Sequence, residues 1–122
     1  MSAVVLIVED NARNLKLVRD VLGHAGYAIL EACDGETGVE LARERHPDLI
    51  LMDVNLPGID GVEALARLRA DPATADIPVV ALTAYAMKDD RARFLAAGFD
   101  GYLEKPVSVR ELPGQVEALI RR

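Results

Sequence analysis

Apolar residues follow two rhythms along this chain. Five short segments, Ala3–Val8, Tyr27–Cys33, Asp48–Asp53, Pro78–Thr83 and Asp100–Glu104, are too brief for helices and read as strands. The third is the clearest: Leu49-Ile-Leu-Met52 is wholly apolar and bounded by acids, as expected of a strand buried on both faces. Between the strands, apolar residues recur at helical spacing. Leu15, Val18, Val21 and Leu22 mark one helix, Val39 and Ala42 a second, and Val62, Leu65 and Leu68 a third. A fourth, near Ala86–Ala97, would turn Met87, Phe94 and Leu95 inward, and Leu112, Val116, Leu119 and Ile120 mark the last.

Punctuation agrees with this reading. Gly23 and Gly26 help to end the first helix, Asp34-Gly35 turns into the second, and Pro47 closes it. Leu56-Pro57-Gly58 breaks the chain after the third strand, and Asp60 can cap the helix that follows, which stops at Asp71-Pro72. Gly98 is placed to end the fourth helix. Ser108-Val-Arg-Glu111 reads as a capping box for the last helix, yet Pro113 would then lack a hydrogen bond and crowd the Val109 carbonyl. Either that helix begins near Pro113 or its first turn is distorted. The pattern is (βα)₅, an α/β fold with a parallel five-stranded sheet and helices on both faces.

The strand ends carry the candidate chemistry. Strands one, three, four and five finish in Glu9-Asp10, Asp53, Thr83 and Lys105, and in a parallel sheet these tips share one edge, where such folds bind ligands. Three carboxylates in one cleft repel and raise each other's pKa. A hard divalent cation, Mg²⁺ or Mn²⁺, would relieve this, because it prefers oxygen ligands. A carboxylate can also act as a nucleophile and form an aspartyl phosphate. Lys105 would then pair with phosphoryl charge, and the Thr83 hydroxyl could hydrogen-bond another oxygen. Phosphoryl transfer needs little beyond such positioning and charge neutralisation.

Composition narrows the setting. The 122 residues, 51% apolar and 28% charged, suit one globular domain spanning 1–122. A formal charge of −6 argues against nucleic acid as a partner. Cys33 is the sole cysteine and reads as a small apolar filler; without an internal disulfide the chain suits the cytoplasm. The start lacks a basic leader, and no apolar run is long enough to span a membrane. His24 and His46 lack metal-ligand spacing and are expected on the surface, and Arg121-Arg122 would favour the last helix end through its dipole.

Taken in order and spacing, Glu9-Asp10, Leu49-Ile-Leu-Met-Asp53 with Leu56-Pro-Gly-Ile-Asp-Gly61, Leu82-Thr83-Ala84 and Lys105-Pro106 resemble the response-regulator receiver domains of the CheY-like family. Val5-Leu-Ile-Val-Glu-Asp-Asn11 and Thr83-Ala-Tyr-Ala-Met-Lys88 are most similar to single-domain regulators of cell division and to receiver modules of hybrid kinases. The resemblance implies strand order 2-1-3-4-5, which is the family's documented arrangement. It implies that Asp53 accepts a phosphoryl group from a histidine of a sensor kinase or phosphotransfer protein. Asp10, Asp53 and the Asn55 carbonyl would bind Mg²⁺, with Glu9 reaching it through water. Thr83, the Ala84 N–H and Lys105 would hold the phosphoryl oxygens. Tyr102 matches the switch aromatic that would turn inward with Thr83 and alter the face of the fourth helix, fifth strand and last helix, where a downstream protein would bind. Asn55 and Tyr85 would border the approach of hydrolytic water, and the Lys105–Pro106 bond would be cis. No output domain is expected after the last helix, so the chain would signal as a monomer or weak dimer through protein contact.

Other classes fit less well. A haloacid-dehalogenase-type phosphohydrolase needs an acid two residues after the nucleophile, where this chain has Asn55. A phosphate-free docking module would not need the acid, Thr and Lys set. A flavodoxin-like nucleotide binder would need a Gly-rich loop after the first strand, and none is present.

Overall fold

The computed structural model describes residues 3–84, 88–105 and 107–120, and for residues 88–91 the backbone alone. Five strands alternate with five helices: β1 Val4–Val8, α1 Ala12–His24, β2 Ala28–Ala32, α2 Gly35–Arg45, β3 Leu49–Asp53, α3 Gly61–Ala70, β4 Val79–Thr83, α4 Lys88–Ala97, β5 Gly101–Glu104 and α5 Leu112–Ile120. The strands form one parallel sheet in the order β2-β1-β3-β4-β5. Every residue of β3 and β4 is buried, as continuous apolar runs require when helices cover both faces.

Strand alternation divides the core in two. Leu6, Val8, Ile50, Met52, Val79 and Ala81 face one side, where Val39 and Ala42 of α2, Ala64, Leu65 and Leu68 of α3 and Phe94 of α4 cover them. Val5, Ile7, Leu49, Leu51, Val80 and Leu82 face the other, under Val18 and Leu22 of α1 and Leu112 and Val116 of α5. The period of two along each strand thus determines which helices each residue meets.

Helix starts follow local capping chemistry. Asn11 Oδ1 accepts the Arg13 and Asn14 N–H groups at 3.0 and 3.1 Å, Asp34 accepts that of Thr37 at 2.7 Å, and Asp60 that of Glu63 at 2.9 Å. Each such cap contributes about 1 kcal/mol. α5 begins at Leu112, with Pro113 in its first turn, where a missing N–H costs no helical bond. Ser108 still closes the turn ahead of it: its Oγ accepts the Glu111 N–H at 3.3 Å and its carbonyl accepts that of Leu112 at 2.9 Å.

Several expectations are corrected. α1 runs on through Gly23 to His24 before Gly26, at φ 103°, turns the chain. Leu95 is 52% exposed, because Phe94 takes the inward position and packs edge-on against Phe99 at 6.0 Å between centroids. Adjacent helical residues diverge by about 100°, so both cannot face the core. Val62 lies at the rim of α3 and is 38% exposed, leaving Ala64, Leu65 and Leu68 to pack. Cys33 is exposed, just past the end of edge strand β2, and is no core filler. Met87, Arg121 and Arg122 lie outside the described residues.

At the N-terminal edge of the sheet the same clasp occurs twice. Asp48 precedes β3; its N–H donates to the Val4 carbonyl at 2.8 Å, and its carboxylate accepts the Val4 N–H at 2.7 Å. Asp100 precedes β5 and treats Val79 likewise, donating at 2.8 Å and accepting at 2.8 Å. Arg69 adds to the second clasp by bonding Asp100 Oδ2 at 2.7 Å and the Ala75 and Ile77 carbonyls at 3.0 and 2.7 Å.

Candidate active site

The opposite edge gathers the predicted residues. β1 runs out at Val8, and Glu9 remains tied to the sheet through its N–H, which donates to the Ala32 carbonyl at 3.0 Å. Lys105 is tied likewise, its N–H donating to the Thr83 carbonyl at 2.8 Å. After Asp53, the Val54 N–H bonds the Leu82 carbonyl at 3.1 Å, so the acceptor strand stays paired through its tip. The turn beyond it is tight. Gly58 adopts φ 73°, and a Cβ on Gly61 would stand 2.5 Å from the Asp53 carbonyl oxygen and 2.8 Å from Val54 Cα. Only glycine lets α3 begin this close to the site.

Glu9, Asp10 and Asp53 each present a carboxylate oxygen, all within 4.8 Å of one another. Glu9 and Asp53 are buried, at 1% and 3% exposure, while Asp10 faces solvent. Lys105 Nζ lies between the two buried acids, 2.9 Å from Glu9 Oε2, 3.2 Å from Glu9 Oε1 and 2.7 Å from Asp53 Oδ2. The other Asp53 oxygen accepts the Asn55 N–H at 2.9 Å. Thr83 is buried at the end of β4, Ala84 is exposed beside it, and Tyr102 is half-buried against the cluster under α2–α4. Asn55 is exposed next to the acids. Tyr85 and Pro106, and with the latter the Lys105–Pro106 bond, lie outside the described residues.

Electrostatics follow from this crowding. Burial pushes the Glu9 pKa above its usual range, the neighbouring Asp53 carboxylate raises it further, and Lys105 only partly offsets them. For Lys105, burial disfavours the ammonium, but hydrogen bonds and charge from Asp53 and Glu9 outweigh it and raise the pKa. One ammonium therefore serves two buried carboxylates, with a third close by. That donor set, all hard oxygen with surplus negative charge, fits a small divalent cation. It also leaves a carboxylate with a cation at hand to neutralise an incoming phosphoryl group.

The sequence reading missed one side chain that touches this cluster: Asn14 Nδ2 donates to Glu9 Oε1 at 3.3 Å. Its helical position alone gave no signal, because the contact depends on how α1 crosses the end of β1.

Residues 5–117 match the family model for the response regulator receiver domain. The polar-differentiation response regulator DivK of Brucella ovis is 46% identical over 109 residues, 89% of this chain and 89% of the relative. The receiver domain of the sensor histidine kinase PA1611 from Pseudomonas aeruginosa, solved with a magnesium ion coordinated in the active site cleft, superposes with a TM-score of 0.91 at 35% identity, covering all of both chains. The chemotaxis response regulator CheY4 of Vibrio cholerae superposes at 0.92 and 28% identity, over 98% of this chain and 99% of that one. Among the described residues, no helix is long and apolar enough to cross a membrane.

Proposed function

Because the chain belongs to the response regulator receiver domains of two-component signalling, we propose that Asp53 accepts a phosphoryl group from the phosphohistidine of a sensor kinase or phosphotransfer protein. An Asp53 carboxylate oxygen attacks phosphorus, the phosphorus–nitrogen bond breaks, and the freed imidazole takes up a proton from solvent. The observation that carries this reading is the cluster itself: three carboxylates within 4.8 Å, with the Lys105 ammonium 2.7 Å from Asp53. Asp10, Asp53 and the Asn55 carbonyl, with Glu9 beside them, would hold Mg²⁺ or Mn²⁺. When bound, the cation would neutralise charge on the phosphoryl oxygens. Lys105 shifts from the carboxylates toward those oxygens, and the Thr83 hydroxyl and Ala84 N–H take the others.

Phosphorylation then biases two arrangements of the Thr83–Tyr102 region. Tyr102 borders a groove of about 530 Å³, with Leu95 of α4, Val107, and Glu111 and Gln115 next to and on α5. This face suits a downstream protein partner. On this reading the receiver domain works as a switch, not as a turnover enzyme. Asn55, a neutral side chain where a phosphohydrolase would need an acid, supports that choice.

The test is incubation with Mg²⁺ and acetyl phosphate, followed by intact-mass measurement. Wild type should gain one phosphoryl group and Asp53→Asn none. Turnover of a phosphomonoester, or equal labelling of the variant, would overturn the proposal.

A further inference from the structure

The structure assigns Asn14 a role as the positioning residue for Glu9, a role that rests on the receiver reading above. Glu9 is 1% exposed, so its oxygens must find donors inside the protein. Among the described residues two side chains supply them. Lys105 donates to both oxygens, at 3.2 and 2.9 Å, and Asn14 Nδ2 donates to Oε1 at 3.3 Å. Lys105 is shared with Asp53 at 2.7 Å and moves toward a phosphoryl group once one is present. Asn14 has no such second carboxylate and stays.

Its backbone is fixed independently of the site. Asn14 lies in the first turn of α1, where the Asn11 side chain accepts its N–H at 3.1 Å. The next turn carries Leu17 and Val18, which with Leu82 and Val107 enclose a space of only about 10 Å³ beside Glu9, Asn14 and Lys105. That volume holds one water at most, so little solvent is at hand to stand in for the Asn14 amide. When Lys105 leaves, Asn14 keeps Glu9 aimed at the cation site instead of letting it rotate.

Asn14→Leu separates this role from packing. Leucine has nearly the same shape, is the better helix former and suits the apolar wall, but has no donor. Mg²⁺ affinity measured by calorimetry should fall about three- to tenfold, the worth of one hydrogen bond. Labelling of Asp53 by acetyl phosphate should slow at limiting Mg²⁺ and recover at saturating Mg²⁺. Asn14→Gln, which keeps an amide donor on a longer arm, should recover part of the affinity. A purely structural residue would shift the melting temperature while leaving the Mg²⁺ affinity alone. Unchanged Mg²⁺ affinity in folded Asn14→Leu, with wild type labelling normally, overturns the role of Asn14 only. Failure of wild type itself to label overturns the receiver reading and this inference together.

Discussion

The two edges of the sheet use carboxylates in opposite ways. At the N-terminal edge Asp48 and Asp100 stand just before separate strands, and each accepts the N–H of a neighbouring strand's first residue, Val4 or Val79. Arg69 further anchors Asp100. At the C-terminal edge Glu9, Asp10 and Asp53 crowd within 4.8 Å, and one ammonium serves two of them, Glu9 and Asp53. The first arrangement satisfies each acid with donors and joins strands. The second accumulates negative charge that the fold does not neutralise. A carboxylate at a strand end is therefore uninformative alone; what matters is whether backbone donors or other carboxylates surround it.

Substitution can break this contrast. The largest effect is expected from Asp100→Ala, which removes an acceptor from both the Val79 N–H and Arg69. Urea unfolding should show a loss of about 2–3 kcal/mol, as for a charged hydrogen bond left unmade. Asp48→Ala should cost less, about 1 kcal/mol, because the carboxylate's bond to the Val4 N–H lies at an exposed position. An unchanged midpoint for Asp100→Ala would remove the stabilising half of the comparison.

At the other edge the sign should reverse. Without metal, Asp53→Asn removes one crowded charge while Lys105 keeps Glu9 at 2.9 Å. Stability should rise by about 1 kcal/mol, the scale of the repulsion between two unit charges about 4 Å apart in water. Mg²⁺ at a hundred times its dissociation constant should add about 2.7 kcal/mol to wild type and much less to the variant. Equal melting of the two proteins, with and without Mg²⁺, would contradict the account.

A smaller effect concerns pH. The native Glu9 pKa lies above its ordinary 4.5, chiefly through burial. As pH rises past 4.5 the unfolded chain releases this proton first, so the neutral Glu9 contributes stability that is lost as pH passes through the native value. Metal-free Glu9→Gln should therefore gain on wild type as pH rises from about 4.5 toward neutrality. A constant gap across that range would show that Glu9 ionises as freely in the fold as outside it.

Most of the architecture was legible because strand runs and helical spacing differ in period, and Asp53 stood out as a polar end to an apolar run. The convergence of Glu9, Asp10, Asp53, Thr83 and Lys105 followed from parallel topology alone. What escaped depends on angles and contacts between elements. Leu95 yielded the core position to Phe94, which meets Phe99. The start of α5 was decided by Pro113, one of two openings the local sequence allowed. The Asp48 and Asp100 clasps needed strand register to be visible. Asn14 needed the angle between α1 and β1 to bring its amide to Glu9.

The most direct test of the central claim is to locate the phosphoryl group chemically. Protein treated with acetyl phosphate and Mg²⁺ is reduced with borohydride, which converts an acyl phosphate to an alcohol, and its peptides are mapped by mass. The account predicts homoserine at position 53 alone, with Asp10, Asp48 and Asp100 unmodified. Modification at another carboxylate, or none at saturating Mg²⁺, would contradict it.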